Sequence, residues 1–339
     1  MPPSSDGLPR CRARRWWSRR HGRRPEAAAG PLRKLARPLD FADSRANLAY
    51  GPLNALLLLD VHLQRALEAW KARHGTRVRA WLDALGEVEA LSGLATLAHD
   101  EPRWVFPEEG ATANGQGTRT VPLRARALGH PLLSDGVRVA NDVEIHPAAA
   151  FVLVTGSNMS GKSTLLRAIG GNVVLARAAG PVCAESMSLE EVRLHTSMAV
   201  EDSLELGVSR FLAELLRMKE IVEAARASPD APPVLYLLDE ILQGTNTWER
   251  RAGTRAVLRH LLDAGAVGAV TTHDLTLHQA PDLEARTRAF HFRESVTPGE
   301  HGAALSFDYR LRPGLSTTRN AMVLLEAVGL GPLPGQAQE

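Results

Sequence analysis

The sequence contains little cysteine, few aromatic residues and no long apolar run. Its two cysteines, Cys11 and Cys183, match no metal-ligand or redox spacing, so we expect a reducing environment and no disulfide framework. No apolar stretch approaches the roughly 20 residues that a membrane-spanning helix needs. The N-terminus also lacks the apolar segment of a secretory signal, and a cytoplasmic protein is therefore the expectation.

The formal net charge of +2 conceals an asymmetry along the chain. Residues 1–38 carry a net charge of +9, which leaves −7 for the remaining 301 residues. Because residues 1–46 show no hydrophobic periodicity, we expect a basic, disordered tail there. Its arginines, with Trp16 and Trp17, are open to three interpretations: a surface for nucleic-acid backbones and bases, a solvated tail, or a misassigned start of translation. The solvated tail is the favoured interpretation.

The length of 339 residues and the 44% apolar content suffice for about two domains with buried cores. Apolar residues at helical spacing predict two helices within 47–109, with a break between them at His74-Gly75-Thr76. Residues 110–120 are rich in Gly, Thr and Ala and predict a flexible linker. A larger domain is expected at 121–330, followed by a short tail at 331–339.

Short β-rich runs alternate with helical stretches after residue 120. The predicted strands are Val137–Ala140, Phe151–Thr155, Val234–Asp239 and Ala266–Thr271. Helices are predicted to begin at Lys162 and Trp248, and an apolar stripe at helical spacing over 208–225 predicts a core helix. This alternation predicts an α/β fold with a mostly parallel sheet that is covered on both faces.

The strand at Phe151–Thr155 runs directly into a glycine-rich loop and then into a helix. The loop matches G-x-x-x-x-G-K-[ST], and its residues are Gly156, Ser157, Asn158, Met159, Ser160, Gly161, Lys162, Ser163 and Thr164. In such a loop the backbone N–H groups bind phosphate, Lys162 reaches the β- and γ-phosphates, and the Ser163 hydroxyl binds magnesium. The sequence therefore predicts a nucleotide site.

Hydrolysis of a nucleotide also needs a carboxylate for the metal and a group that activates water. Asp239 and Glu240 follow a predicted buried strand, so Asp239 is expected in the magnesium shell and Glu240 beside the attacking water. His273 follows the next strand and is expected to contact the γ-phosphate. Since ligands of open α/β sheets bind at the carboxyl ends of strands, these residues and the loop should converge.

Together these residues resemble the MutS family of DNA mismatch-repair ATPases, which belong to the ABC class. The loop is similar to the family's nucleotide loop, in which Asn158-Met159 is distinctive. Asp239-Glu240, with Thr245, Asn246 and Thr247 downstream, resembles the family's second acidic motif and the turn that lies across its dimer interface. Thr271-Thr272-His273-Asp274 is similar to its switch histidine.

The resemblance implies a P-loop ABC-type ATPase domain preceded by a small all-α region, the end of a helical lever. It implies ATP and Mg²⁺ as cofactors and Lys162, Glu240 and His273 as catalytic residues. It places Asn141 beside the adenine, and Ser209 in a signature segment that reaches the nucleotide of a partner subunit. The active unit is then expected to be a homodimer with composite ATP sites that acts on DNA, associated with the nucleoid.

The sequence departs from the family's pattern at several positions. Ser157 and Ser160 stand where the family usually has Pro and Gly, and Arg138 stands where an aromatic residue often stacks on adenine. Phe292-Arg293-Glu294 matches the family's mismatch wedge, but it follows the switch histidine and predicts a strand of the ATPase domain. The 155 residues before Gly156 are too few for a mismatch-reading domain, so we expect a short MutS-like protein or the C-terminal portion of one.

The expected function is ATP hydrolysis by a MutS-like protein in DNA mismatch repair, with nucleotide-driven switching of a dimer or clamp. Two alternatives remain at this point. One is an ABC-type ATPase that acts on branched or recombining DNA, or on membranes through a partner, without mismatch recognition. The other is an interaction module that binds nucleotide without hydrolysing it.

Overall fold

The computed structural model of the chain describes nine segments. They are residues 28–43, 45, 50–109, 121–146, 150–198, 210–227, 231–243, 245–299 and 302–316. The chain divides into two units, Met1–Asp100 and Glu101–Glu339. Within the described segments, no helix is both long enough and apolar enough to cross a membrane.

The described residues of the first unit form the helices α1 (Ala29–Asp43), α2 (Tyr50–Leu57) and α3 (Leu59–Asp100). The 42 residues of α3 give it a length of about 63 Å. Helix α1 falls inside the stretch that the sequence predicts to be a disordered tail, so the prediction is wrong for Ala29–Asp43. The helix is stabilised by its contact with α3, where Trp70 Nε1 donates a hydrogen bond of 2.8 Å to the carbonyl of Pro31.

Helix α3 runs without interruption through Gly75, so the predicted break at His74-Gly75-Thr76 is also wrong. Three rings bracket this glycine: the centroids of Trp70 and Trp81 lie 5.5 and 6.3 Å from that of His74. A glycine inside a helix costs only about 1 kcal/mol relative to alanine. The ring contacts on both sides of Gly75 outweigh this cost.

The second unit is built on a six-stranded sheet with the strand order β10-β9-β4-β8-β7-β6. Its strands are β4 (Phe151–Thr155), β6 (Arg193–Ser197), β7 (Val234–Asp239), β8 (Val267–Thr271), β9 (Thr287–Gly299) and β10 (Gly302–Pro313). All neighbours pair in parallel except β9 and β10, which form an antiparallel hairpin. The prediction of an α/β fold with a mostly parallel sheet is confirmed.

A second, four-stranded sheet has the order β1-β5-β2-β3. Its strands are β1 (Glu108–Glu109), β2 (Leu123–Leu128), β3 (Asn141–Ile145) and β5 (Ser186–Leu189). Because β1 pairs with β5, and Val105 forms a bridge with Val182, residues 101–109 belong to the second unit. The sequence had assigned them to the helical region, and the predicted linker at 110–120 lies outside the described residues.

One strand lies later than predicted. Residues 137–140 precede β3 instead of forming a strand, because the N–H groups of Val137 and Arg138 both donate to the carbonyl of Ser134 and close a turn. The strand begins immediately afterwards at Asn141. This turn places the residues before β3 at the edge of the cavity described below.

The α-helices in the described part of the second unit are α4 (Lys162–Arg177), α5 (Arg210–Arg226), α6 (Thr247–Asp263) and the short α7 (Pro281–Glu284). Side chains of β4 alternate between two apolar clusters, with Val152 and Val154 in one and Phe151 and Leu153 in the other. The first cluster includes residues of α4 and the second includes residues of α5 and α6, so both faces of the sheet are covered.

The predicted apolar stripe at 208–225 is buried only in part. Met218 and Val222 of α5 lie in the second apolar cluster, as predicted. Leu212 and Leu215, in the first half of the helix, are exposed in the single chain. Val208 lies outside the described residues.

A substitution of Gly268 tests the register of the central strands. In β8 it pairs with Tyr236 of β7, and a Cβ atom there would overlap the Tyr236 carbonyl and lie 2.5 Å from ring atom Cδ2. We expect Gly268→Ala to lower the free energy of unfolding by about 3 kcal/mol in urea denaturation, because the overlap involves backbone. Gly136→Ala is the control, since nothing lies within 4 Å of its Cβ. Equal stabilities of the two variants would contradict this pairing.

Candidate functional site

The nucleotide loop connects the buried strand β4 to the first turn of α4. The loop reverses direction at two glycines with positive φ, Gly156 at 148° and Gly161 at 103°. Residues other than glycine rarely adopt such φ values. The loop leaves the carboxyl end of β4 and leads directly into the N-terminus of α4.

Lys162 holds the loop from within. Its side chain is only 4% exposed, and Nζ donates hydrogen bonds to the carbonyls of Gly156 at 3.0 Å and Ser157 at 2.8 Å. The same atom lies 3.2 Å from Oε1 of Glu240. Two of the three N–H groups of this ammonium thus bind carbonyls of the loop. Its charge lies beside Glu240, which follows the carboxyl end of β7.

The strand pair β7 and β8 positions the two predicted carboxylates. Asp239 pairs with Thr271, whose Oγ1 donates a 2.5 Å hydrogen bond to Asp239 Oδ1. The same Oγ1 accepts a hydrogen bond of 3.0 Å from the backbone N–H of Glu240. One threonine hydroxyl therefore orients both acidic residues.

The carboxylate of Glu240 has three partners. His273 Nε2 lies 2.7 Å from Oε1, Lys162 contacts the same oxygen, and Gln243 Nε2 donates to Oε2. The hydrogen bond from His273, followed by the charge of Lys162, lowers the pKa of Glu240 to about 2 in spite of its partial burial. Glu240 is therefore an ionised acceptor at neutral pH. Sequence reasoning did not single out Gln243, because nothing local distinguishes it from an ordinary turn residue.

Lys162, Glu240 and Gln243 line a cavity of about 700 Å³. Most of the loop, from Asn158 to Thr164, and Asp239 also line it. Its apolar lining residues include Leu128, Val137, Val139, Phe292 and Tyr309. A lining with both polar and apolar groups suits a ligand that carries both phosphates and a flat ring system.

The cavity also fits a magnesium ion that accompanies phosphates. The Ser163 hydroxyl and the Asp239 carboxylate line the same wall, and both are hard oxygen donors of the kind that Mg²⁺ prefers. Two protein ligands leave positions for phosphate oxygens and water, as is usual for this ion.

Asn141 lies at the cavity, but its amide is engaged by β10. Its Nδ2 donates to the carbonyl of Tyr309 at 3.0 Å, and its Oδ1 accepts from the N–H of Leu311 at 2.7 Å. These bonds hold an irregularity between Phe307 and Leu311, where Tyr309 has a φ of 53°. The Tyr309 ring is thereby placed in the cavity wall, next to Gly161, in a position that no local sequence pattern predicts.

Arg138 does not occupy the position beside the ligand that the sequence predicts. Its guanidinium contacts Asp135, donates to Cys183 Sγ at 2.5 Å and lies 5.8 Å from the ring centroid of Trp104. The turn before β3 directs this side chain away from the cavity, and Val137 and Val139 line the wall instead. Phe292 and Tyr309 are aromatic residues that line the cavity.

The predicted dimer-interface turn forms the start of α6. Asn246 is the N-cap, since its Oδ1 accepts a hydrogen bond of 2.9 Å from the N–H of Glu249, and Thr245 Oγ1 contacts the Glu249 carboxylate. Thr247 begins the helix, and the adjacent Trp248 is 77% exposed. Ser209, the predicted signature serine, lies outside the described residues.

Phe292-Arg293-Glu294 lies within β9, as the sequence predicts. Phe292 is 3% exposed and lines the cavity. Its ring packs in the first apolar cluster of the second unit. The tripeptide is therefore part of the large sheet.

Comparison with known proteins places these features in a family. The family model of MutS domain V matches residues 152–332. The DNA mismatch repair protein MutS 2 of Halobacterium salinarum is 32% identical over 273 residues, which cover 79% of this chain and 29% of that protein. The Endonuclease MutS2 of Thermomicrobium roseum is 32% identical over 249 residues, covering 70% of this chain and 29% of that protein.

A plant protein shows the same relation. The DNA mismatch repair protein MSH6 of Arabidopsis thaliana is 32% identical over 255 residues, which cover 71% of this chain and 18% of that protein. The chain spans less than a third of the length of each of these three relatives.

The lowered pKa of Glu240 predicts a pH dependence of stability. Its pKa falls from an ordinary value of 4.5 to about 2 on folding, so its stabilising contribution is fully present above about pH 4.5 and is lost as the pH falls toward 2. As the pH falls from about 4.5 toward 2, we expect the unfolding free energy of the wild type, measured in urea, to fall relative to that of Glu240→Gln. Glu185→Gln, at an exposed position, is the control. A difference that is independent of pH would contradict the ion-pair geometry.

Proposed function

Because this chain belongs to the MutS family, we propose that it binds ATP with Mg²⁺, hydrolyses it and acts on DNA in mismatch repair. One observation carries the proposal: Lys162 and His273 both contact Glu240, and Lys162 and Glu240 line one cavity together with Ser163 and Asp239. The local sequence motifs of a phosphate site, a metal site and a water-activating group thus meet at one place, although 111 residues separate Lys162 from His273.

The residues have distinct proposed roles. The loop amides and Lys162 bind the β- and γ-phosphates, and Ser163 and Asp239 hold Mg²⁺, which neutralises phosphate charge when bound. Glu240, ionised and held by Gln243, orients the attacking water. His273, which contacts Glu240 in the structure, donates to the γ-phosphate when nucleotide is present. The apolar wall, including Tyr309, receives the adenine.

We propose that the dimer interface includes the start of α6 and the first half of α5. Trp248 and the turn Thr245-Asn246-Thr247 are exposed or half-exposed at the start of α6, and Leu212 and Leu215 are exposed on α5. Exposed large apolar residues of this kind are typical of surfaces that a partner covers. In the proposed homodimer, Ser209 of each subunit completes the nucleotide site of the other, and ATP binding and hydrolysis switch the dimer between two states.

For DNA, we propose the middle of α3 as the contact surface. Between Glu68 and Asp83 this helix has no acidic residue. Its basic side chains there, all exposed, are Lys71, Arg73, Arg77 and Arg79. Arg73 and Arg77 lie one turn apart, about 6 Å along the helix axis, a spacing that permits contact with successive phosphates.

The nucleotide site is tested by two substitutions. Lys162→Ala removes the cation that binds the phosphates, and we expect ATP affinity to fall by about a hundredfold in equilibrium binding. Glu240→Gln keeps the shape of the site but removes the group that activates water. This variant should bind ATP with Mg²⁺, sediment as a dimer, and hydrolyse ATP more slowly by about a thousandfold.

Lys219→Ala provides the control, since Lys219 forms only a surface pair with Glu223 on α5. Undiminished turnover in pure Lys162→Ala or Glu240→Gln would refute the site assignment. Nucleotide binding without any turnover by the wild type, with or without DNA, would favour the non-hydrolysing interaction module.

The DNA surface is tested by charge reversal. We expect the double variant Arg73→Glu, Arg77→Glu to bind duplex DNA about tenfold more weakly and to reduce the salt dependence by about two ion equivalents in gel-shift titrations. Lys219→Glu is the control for a change of charge elsewhere. Competition among matched, mismatched and branched duplexes identifies the substrate: preference for a mismatch supports repair, and preference for a branch supports the recombination alternative. Unchanged binding by the double variant would exclude this surface.

A further inference from the structure

Strand β9 extends beyond the strand on which the nucleotide loop is built. Strand β4 ends at Thr155, which is in register with His291 of β9. Strand β9 continues to Gly299. The residues that follow His291 therefore run beside the nucleotide loop, where β4 no longer provides a strand neighbour.

Side-chain alternation brings Glu294 to this loop. Successive residues of a strand face opposite sides, so Phe292 and Glu294 share a face. Phe292 is buried in the cavity wall, and two residues later Oε2 of Glu294 accepts a hydrogen bond from Oγ of Ser157. Arg293, between them, is exposed on the other face.

The first residues of the loop are consequently held on two sides. The carbonyl of Ser157 accepts the 2.8 Å hydrogen bond from Lys162, while its hydroxyl donates to Glu294. Thr155 is tied to the same strand, since its Oγ1 donates to the carbonyl of Phe290 at 3.2 Å. Strand β9 thus anchors the point at which the chain leaves β4 and enters the loop.

We propose that Ser157 and Glu294 form a loop strap that holds the nucleotide loop in its phosphate-binding conformation, with Glu294 as a positioning residue. The proposal rests on the proposed nucleotide site. A glycine-containing loop loses conformational entropy when it closes on a ligand, and a loop that is already ordered loses less. A hydrogen bond to a carboxylate is stronger than one between neutral groups, which suits this task.

The strap is tested first without nucleotide, by amide hydrogen exchange. In Ser157→Ala and in Glu294→Ala we expect the amides of residues 156–161 to exchange about tenfold faster than in the wild type, because the loop has lost its anchor. Glu294→Gln keeps an acceptor oxygen and should restore most of the protection. Arg293→Gln changes the neighbouring side chain on the opposite face and is the matched control.

The consequence for binding is tested with a fluorescent ADP analogue. Each alanine variant should bind it about tenfold more weakly, and the double variant no more weakly than the weaker single variant, because both remove one interaction. With ATP, Glu294→Ala should raise KM more than it lowers kcat, and Glu294→Gln should return KM toward the wild-type value. General loss of structure would not be repaired in this way.

Three outcomes would overturn the strap: unchanged loop exchange in both alanine variants, strictly additive effects in the double variant, or equal effects of Glu294→Ala and Arg293→Gln. Failure of the proposed function has a different signature. A folded wild type that binds no ADP analogue refutes the nucleotide site, and the exchange rates of the nucleotide-free loop then decide the strap by themselves.

Discussion

The buried ammonium group of Lys162 is the element on which the remainder of the site depends. A cation that is 4% exposed needs close polar partners, because an uncompensated charge is costly away from water. Lys162 finds them in two loop carbonyls and in Glu240. The loop, the end of β7 and, through Glu240, His273 are therefore held around one charge. In the proposed nucleotide site, the cation that would meet a phosphate is therefore already held in place.

The parallel sheet makes this arrangement possible. Strands β4, β8 and β7 are neighbours, so their carboxyl ends lie at one edge and bring the loop, His273 and the acidic pair together. The alternation of β4 side chains between two apolar clusters fixes its register, since a slip of one residue would exchange the two faces. The buried apolar side chains therefore fix the positions of the strand ends. Thr271 then orients Asp239 and Glu240 through its two hydrogen bonds.

Much of this site was predictable because its motifs are local. The nucleotide loop must lie between a strand and a helix, and β4 and β7 have the predicted bounds, Phe151–Thr155 and Val234–Asp239. The errors have physical causes of another kind. Helix α3 passes through Gly75 because ring contacts override a weak local preference, and Arg138 turns away because Ser134 closes a turn before it. Both contacts join residues that are close in the chain, but neither belongs to a motif with a defined residue pattern.

The sequence by itself determined which chemical groups are present: a glycine-rich loop with a lysine, two adjacent carboxylates and a histidine, each recognisable from residues adjacent in the chain. Only the tertiary structure decided which distant side chains complete the site. An irregularity in β10 places Tyr309 in the cavity wall. Glu294 contacts Ser157 because β9 extends beyond the end of β4. The pairing of β4 with β9 and the hydrogen bond from Asn141 to Tyr309 each join segments more than a hundred residues apart, and such contacts leave no mark in a local motif.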